Sequence, residues 1–379
     1  MKKVVIAPDS FKGTMSSSEV CDIAEKAIKS VLPETTVARV PIADGGEGTV
    51  EAFLAALGGE RVSVTVKGPL FDEIDSFYGI LPDKKTAVIE MAAASGLTLT
   101  GGRLDPLQST TYGTGQLILD ALDKNCSRII LGLGGSATND GGVGMAAALG
   151  VRFLDGKGAE IGLNGGGLVA LSRIDVSRRD PRLDGCEIIV ACDVDNTLCG
   201  KEGASYVFGP QKGADENTVR ILDANLSHYS DILYRELGIQ VRDIPGTGAA
   251  GGMPASLLAF TVCSIKPGIT IILDTVGFDT LIEDADLIIT GEGRIDGQSL
   301  RGKAPLGIAA RAEKYHVPVI AVVGSIGNNI DAVYECGIKA VFSTGRRPVP
   351  FEEARLTCRE DLFHTVENIF RFYRACKAN

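Results

Sequence analysis

The chain has few of the residues that catalytic histidine and zinc chemistry require. Its 379 residues include three histidines, His228, His316 and His364, and none of them falls in a polar cluster. The nine cysteines are odd in number and include no C-x-x-C pair. We therefore expect free thiols, as in a reducing cytoplasm, rather than disulfides or a zinc site.

Long apolar segments and an excess of positive charge are also missing. The longest apolar runs, such as residues 317–323, are the length of a strand and fall far short of the roughly 18 residues of a spanning helix. The apolar stretch at residues 4–7 is too short for a signal peptide. Lys and Arg number 38 against 48 Asp and Glu, a net charge of −10. We expect a cytoplasmic protein that binds neither membrane nor nucleic acid, and that holds any anionic substrate with a local group of cations.

Strand and helix patterns alternate at both ends of the chain. Residues 3–7 and 36–42 are typical of strands, and the helix between them begins with capping-box spacing at Ser16 and Glu19. Three further strands are expected at residues 287–290, 317–323 and 338–343. A last helix is expected from about residue 352, with these apolar side chains facing inward: Leu356, Leu362, Val366, Ile369 and Phe370.

The middle of the chain mixes half-exposed and buried strand patterns with short helices. At roughly 100–200 residues per domain, the length predicts two domains or three. The sequence therefore predicts an α/β fold in which a discontinuous, Rossmann-like, doubly wound parallel-sheet domain is interrupted by a mixed α/β domain. The predicted limits are residues 1–60 with 262–379 for the first domain, and 61–261 for the inserted one.

Glycine-rich polar clusters follow four of the predicted strands. They are PDSFKG at residues 8–13, DGGEGT at 44–49, GGSATNDGG at 134–142 and TGEGRIDG at 290–297. Open parallel sheets bind ligands at the carboxyl ends of their strands, so the coincidence of the four clusters indicates a site.

The first two clusters combine carboxylates with glycines. The first places Asp9, Ser10 and Lys12 in one tight loop, although a solvated turn would also account for them. In the second, Asp44 with Gly45 and Gly46 fits metal or polar-substrate binding. The alternative is a flexible turn with Asp44 near a helix N-cap.

The third cluster is typical of an anion site, because bare backbone N–H groups at a helix N-terminus attract negative charge. Its candidate residues for phosphate or substrate binding are Gly134, Gly135, Ser136, Thr138 and Asp140. A tight strand-to-helix turn explains two glycines, but not four glycines with four polar residues.

The fourth cluster carries three charges among glycines. Glu292 and Asp296 are candidates for holding Mg²⁺ or acting as a base, and Arg294 for clamping phosphate or carboxylate. The alternative is a salt-bridged surface loop.

Two further stretches carry charge near predicted turns. Asp193 and Asp195 end the strand at residues 187–191 and, two apart in an extended chain, would point the same way. Lys212 lies in a Gly-Pro-Gln-Lys-Gly turn and is either a phosphate ligand or an exposed lysine.

Two familiar nucleotide motifs nearly appear. Residues 297–303 have Walker A spacing, but Ala304 replaces the hydroxyl residue that would bind Mg²⁺; Lys303 remains a phosphate candidate beside a helix start. Residues 246–251 match G-x-G-x-x-G without a clear preceding strand, so a dinucleotide site fails its context test.

Six motifs together resemble one known family. They are APDSFKG at residues 7–13, ADGGEGT at 43–49, GGSATNDGG at 134–142, ACDVDN at 191–196, FGPQKG at 208–213 and ITGEGRIDG at 289–297. In order and from end to end, the chain is similar to bacterial glycerate kinases of the type-1 family. The resemblance implies ATP-dependent phosphorylation of D-glycerate, mostly to 2-phosphoglycerate, with Mg²⁺. Composition and spacing alone indicate only an α/β enzyme that handles phosphate.

The resemblance also suggests roles for the clusters, with the reaction in the cleft between the two domains. Mg²⁺ would be held by Asp193, Asp195 or Glu292. The proton of the glycerate hydroxyl would pass to Asp193 or Asp296, with Asp44 and Asp140 as weaker candidates. Lys12, Arg294 and Lys212 would neutralise the glycerate carboxylate and the moving phosphoryl group.

Several alternatives stay open. The kinase reaction could take place at the 3-hydroxyl of glycerate or on another small hydroxy acid. A different reading is an NAD-dependent hydroxy-acid dehydrogenase that uses residues 246–251, but the sequence offers it no catalytic histidine. A third is a non-catalytic sensor of small acids, although no output module is visible. The expected partners are the small molecules ATP and D-glycerate. The sequence leaves open whether the protein also forms a homodimer.

Overall fold

The structure, a computed structural model, describes residues 1–42, 48–296 and 304–377. The described residues group into two compact units. Unit 1 comprises those of Met1–Asp44, Glu51–Leu57 and Pro267–Asn379. Unit 2 comprises those of Gly45–Val50 and Gly58–Lys266.

The strands are numbered along the chain. They are β1 (Lys3–Pro8), β2 (Thr36–Arg39), β3 (Glu60–Lys67), β4 (Glu73–Ile80), β5 (Thr86–Glu90), β6 (Arg128–Gly132), β7 (Arg152–Leu154), β8 (Arg173–Asp175), β9 (Glu187–Ala191), β10 (Val262–Lys266), β11 (Leu287–Gly291), β12 (Arg294–Ile295), β13 (Val319–Val323), β14 (Ser325–Ile326) and β15 (Ile338–Ser343).

The α-helices are numbered in the same way. They are α1 (Ser17–Val31), α2 (Thr49–Leu57), α3 (Ala92–Ser95), α4 (Tyr112–Asp123), α5 (Val143–Ala148), α6 (Ala204–Phe208), α7 (Glu216–Leu237), α8 (Met253–Phe260), α9 (Gly268–Thr275), α10 (Phe278–Ile282), α11 (Ala304–Lys314), α12 (Asp331–Glu335) and α13 (Phe351–Lys377).

Unit 1 is built on a five-stranded parallel sheet in the order β15-β13-β11-β1-β2. Its central strands are continuous apolar runs, because a parallel sheet is covered on both faces. From β1 the chain goes first to β2 on one side and later to β11 on the other. The strand order therefore reverses between β1 and β11, and ligands of such sheets bind at that reversal, beyond the carboxyl ends of the strands.

Unit 2 is built on a six-stranded mixed sheet in the order β10-β9-β6-β5-β4-β3. The strands β5, β6, β9 and β10 run parallel, and the β3–β4 hairpin continues the sheet in antiparallel fashion. The predicted fold class is thus confirmed, with a discontinuous parallel-sheet domain and an inserted mixed α/β domain.

The last helix corrects one sequence prediction. Leu362, Val366 and Phe370 of α13 are at most 1% exposed and pack on α1 and the sheet, but Leu356 is 78% exposed. No residue of the first part of this helix, 351–360, is buried, so Leu356 lies on a part of the helix that extends beyond the core. The inward orientation predicted for it is wrong. Within the described ranges, no helix has the length and apolar character needed to cross a lipid bilayer.

The capping box predicted for α1 is present. The Ser16 side chain accepts a hydrogen bond from Glu19 N, and Ser16 N donates to the Glu19 carboxylate. We expect Ser16→Ala to lower the free energy of unfolding of unit 1 by about 1 kcal/mol, because Glu19 N loses the side-chain oxygen to which it donates. Urea unfolding followed by hydrogen exchange in α1 measures the change. Ser18→Ala, two residues further along the chain, is the control, and equal stabilities of the two variants would contradict the assignment.

Candidate functional site

In unit 1 the loops after β1 and β11 lie side by side at the strand-order reversal. Asp9 N donates a hydrogen bond to Gly291 O at 2.8 Å, and the Thr290 hydroxyl donates to Ala7 O at 2.9 Å. A side chain at Gly293 would lie 3.3 Å from Lys12 N, so this glycine lets the two loops touch. The first and fourth polar clusters of the sequence therefore meet in one place.

A third loop, after β13, completes this edge of the sheet. Ser325 N donates to Gly293 O at 3.0 Å, and a side chain at Gly327 would lie 2.6 Å from Asp296 Cβ. Arg294 Nε lies 3.4 Å from Asp296 Oδ2, and the Arg294 side chain is 66% exposed.

The charged side chains of this edge differ in their access to solvent. Lys12 is exposed, Asp9 and Ser10 are half-buried, and Glu292 is buried. We name the loops at residues 9–13, 292–296 and 325–327 the unit 1 loop cluster. It carries both cations, which can bind an anion, and carboxylates, which can accept a proton.

In unit 2 the turn at residues 134–142, between β6 and α5, is organised around Asp140. This carboxylate is fully buried and accepts hydrogen bonds from Thr111 N at 2.9 Å, Thr111 Oγ1 at 2.8 Å, Gly142 N at 3.0 Å and Gly144 N at 3.3 Å. The Thr111 hydroxyl itself accepts from Met145 N at 2.9 Å, so its own proton is directed to Asp140. Asp140 thus fixes the backbone of the turn from inside.

Burial raises the pKa of Asp140, and its hydrogen-bond donors act in the opposite direction. A contact between Asp140 and substrate stays a prediction, and one that its burial does not favour. The positive φ of Gly141 and Gly142 explains two of the glycines, because L side chains rarely adopt that conformation.

Lys212 lies beneath the same turn. It is 1% exposed, and its ammonium donates hydrogen bonds to Ser136 Oγ at 2.8 Å and to Thr138 O at 2.6 Å. Burial lowers the pKa of Lys212 to about 7, although the charge of Asp140 raises it. The sequence alternatives for Lys212 were a phosphate ligand or an exposed lysine, and the exposed lysine is wrong.

The first residues of the turn at 134–142, which we call its rim, are accessible to solvent, and the residues after them are buried. Gly135 is exposed and Gly134 half-buried, whereas Ser136 is 7% exposed. In the part of the chain that the structure describes, no hydrogen bond reaches the buried Thr138 Oγ1 or Asn139 Nδ2. Polar atoms buried without a partner are rare in folded proteins, and they are expected beside a ligand or water.

Asp193 and Asp195 follow β9, the neighbour of β6, and both are exposed. The backbone there is irregular and not the extended strand that the sequence interpretation assumed. Of the residues that the structure describes, no three His, Cys, Asp or Glu side chains are close enough to form a metal site.

The G-x-G-x-x-G match at residues 246–251 packs against the turn at residues 134–142. Gly141 N donates to Gly251 O at 2.9 Å, and Gly248 N donates to Asn196 O at 2.9 Å. The segment is buried, and it precedes α8 and β10 instead of following a strand. Its glycines serve close packing, since a side chain at Gly251 would lie 2.0 Å from Thr138 O.

Four candidates lie outside the described residues. They are Asp44, Gly45, Gly46 and Lys303. Their assignments as substrate- or phosphate-binding residues stay predictions, as does the Walker-like spacing at residues 297–303.

Sequence reasoning missed Thr111 and Glu90. Thr111 is 29 residues from Asp140 along the chain, and Glu90 accepts a hydrogen bond from Val50 N at 2.8 Å across 40 residues. No local pattern signals either contact. One signal in the sequence could have indicated Glu90: it is the last residue of the buried strand β5, where the carboxyl end of a parallel strand places functional residues.

Comparison with known proteins extends over nearly the whole chain. A model described as "Glycerate kinase family" matches residues 4–374. The chain belongs to the glycerate kinase family. The resemblance inferred from the six motifs is therefore confirmed, and the family makes the protein a kinase.

Relatives in the glycerate kinase family are similar at about half of all positions. A glycerate kinase of Bacillus cereus is 52% identical over 368 residues, covering 97% of each chain. A glycerate 2-kinase of Escherichia coli K12 is also 52% identical over 368 residues, again with 97% of each chain covered. The crystal structure of a proposed glycerate kinase 2 from Salmonella typhimurium LT2 superposes with a TM-score of 0.91 at 45% identity, covering 100% of both chains.

The Asp140 network predicts a stability effect. We expect Asp140→Asn to lower the free energy of unfolding of unit 2 by about 1–3 kcal/mol, because the new amide would place a donor against a backbone N–H. Chemical denaturation measures this difference. Asp155→Asn is the control, since that partly exposed carboxylate accepts hydrogen bonds from Lys157 N and Ala159 N. An Asp140 variant as stable as the Asp155 variant would contradict the buried role.

Proposed function

We propose that the protein transfers the γ-phosphoryl group of ATP to the C2 hydroxyl of D-glycerate, with Mg²⁺. Family membership supports the kinase reaction, and the name of the Escherichia coli relative supports the choice of C2. The structural observation that carries the proposal is the glycine turn at residues 134–142, backed by a buried ammonium and a buried carboxylate.

The turn suits a phosphate group of the nucleotide. Backbone N–H groups and hydroxyls in a glycine-rich turn before a helix attract anions, and glycine allows close approach. Gly134 and Gly135 form the accessible rim, with Ser136, Thr138 and Lys212 buried behind them. Charge neutralisation and positioning of this kind supply most of the catalysis in phosphoryl transfer.

Mg²⁺ fits the exposed carboxylates of unit 2 in the way that kinases use the ion. Mg²⁺ is commonly held by one or two carboxylates together with substrate phosphates and water, so a complete protein cage is unnecessary. Asp193 and Asp195 supply such oxygens, and Glu292 is a further candidate. When bound, the ion neutralises charge on the phosphates.

The unit 1 loop cluster suits the small acid. Lys12 and Arg294 are the cations proposed to hold the carboxylate of D-glycerate and the moving phosphoryl group. In the transfer, the C2 oxygen bonds to the γ-phosphorus as the bond to the leaving oxygen of ADP breaks. The hydroxyl proton passes to a carboxylate, for which Asp193 and Asp296 are the candidates.

Analysis of the product tests the reaction directly. Purified protein is incubated with ATP, Mg²⁺ and D-glycerate, and the product is coupled to enolase with and without phosphoglycerate mutase. Signal with enolase alone is the expected result, since enolase consumes 2-phosphoglycerate. Signal only after mutase is added would contradict C2 phosphorylation, and absence of ADP would contradict the kinase reaction.

The acceptor of the proton is tested by paired carboxylate variants. We expect Asp193→Asn or Asp296→Asn to lower kcat by about 100-fold or more, the usual contribution of a positioned base. Asp284→Asn, at an exposed carboxylate of unit 1, is the control. If both test variants kept the kcat of the control, neither residue would accept the proton.

The cation assignments predict a different kinetic signature. Lys12→Ala and Arg294→Ala should raise KM for D-glycerate at least about 10-fold, because each removes a charge-assisted contact with the substrate. Steady-state kinetics at saturating ATP measure the change. Lys26→Ala, at an exposed lysine of α1, is the control, and unchanged KM in both test variants would refute the assignments.

A further inference from the structure

The ammonium of Lys212 is attached to the turn at residues 134–142 by two hydrogen bonds. A lysine ammonium has three donors and no acceptor. One donor is directed to Ser136 Oγ and one to Thr138 O. Since Lys212 is 1% exposed, it meets the rim of the turn through Ser136 rather than by reaching into solvent itself.

This contact sets the direction of the Ser136 hydroxyl. An oxygen that accepts from an ammonium keeps its own proton for another acceptor, and a donor polarised in this way is strengthened. Ser136 is 7% exposed and follows the open rim at Gly134 and Gly135. Its O–H is thus the group of this pair that a ligand at the rim can meet.

We propose that Lys212 is a positioning residue that acts through Ser136, keeping the Ser136 O–H directed toward a phosphate oxygen of the nucleotide. This inference rests on the proposed function, because it takes the turn as the nucleotide phosphate site. It goes further by making nucleotide affinity depend on the protonation of a lysine that does not touch the nucleotide.

Deprotonation of Lys212 would reverse the arrangement. A neutral amine has a lone pair, so it accepts the Ser136 proton while still donating to Thr138 O, and the rim loses its donor. Burial lowers the pKa of Lys212 to about 7, which puts this change within the working range. The protonated form binds phosphate, so affinity is full well below pH 7 and falls as the pH rises through about 7.

The groups around Lys212 leave it as the source of this pH dependence. The charge that acts on it is that of Asp140, which raises its pKa. Tyr229, on α7, lies against the turn, and burial raises its pKa well above this range. Helix α6 beside Lys212 has the sequence ASYVF, whose one titratable side chain is the exposed Tyr206.

The test measures KM for Mg·ATP between pH 6 and pH 9, with kcat alongside. In the wild type KM should rise at least about fivefold from pH 6 to pH 9, as expected when binding requires a group with this pKa to be protonated. In Lys212→Arg the profile should be flat, because arginine stays protonated throughout. Lys201→Arg, at an exposed lysine nearby in the chain, should keep the wild-type profile.

Variants of Ser136 provide a second test, which applies even if Lys212→Arg fails to fold. Ser136→Ala should bind Mg·ATP weakly at every pH, with a flat profile, whereas Ser136→Thr keeps a hydroxyl and should keep the slope. A wild-type profile without a slope, or a slope that survives in Ser136→Ala, would overturn the proposal.

The outcome also separates this inference from the proposed function. If Ser136→Ala left KM for Mg·ATP unchanged while 2-phosphoglycerate still formed, the positioning role of Lys212 would be wrong and the kinase reaction would stand. If the wild type formed no phosphoglycerate, the proposed function itself would fail. A purely structural role of Lys212 would lower the melting temperature of its variants without changing the slope of the pH profile.

Discussion

The buried carboxylate of Asp140 is the constraint on which unit 2 depends. A charge that is completely removed from water must have its hydrogen bonds supplied by the protein, and here Thr111 and the backbone of residues 142–144 supply them. That requirement bends the chain between β6 and α5 into a glycine turn. This glycine turn also supplies the two acceptors of the Lys212 ammonium, Ser136 Oγ and Thr138 O.

In unit 1, glycines allow loops to approach one another closely. Its sheet reverses strand order between β1 and β11, and the loops there must approach closely. Gly291 and Gly293 make this possible, since a side chain at Gly291 would lie 2.0 Å from Val322 O. The result is an edge that carries Lys12, Arg294 and Asp296, the residues proposed to act on the small acid. Both units thus use glycine to bring polar groups to the carboxyl ends of parallel strands.

Sequence reasoning succeeded where chemistry followed local pattern. The parallel strands were predictable from apolar runs, and the polar clusters from their position directly after those runs. It failed where a contact spans the chain, as between Thr111 and Asp140, because periodicity carries no information about partners 29 residues apart. Helix α7 was overlooked although Asp215 caps it and Gly238 ends it, and Leu356 was misplaced because apolar character does not reveal where a helix extends beyond the core.

Hydrogen exchange at residues 134–136 tests the central claim, that the glycine turn receives the phosphates of the nucleotide. Exchange of these backbone amides is compared with and without a non-hydrolysable ATP analogue and Mg²⁺, and the turn at residues 155–159 serves as internal reference. We predict slower exchange at residues 134–136 with the nucleotide and no change with D-glycerate alone. Unchanged exchange there at saturating nucleotide would contradict the account.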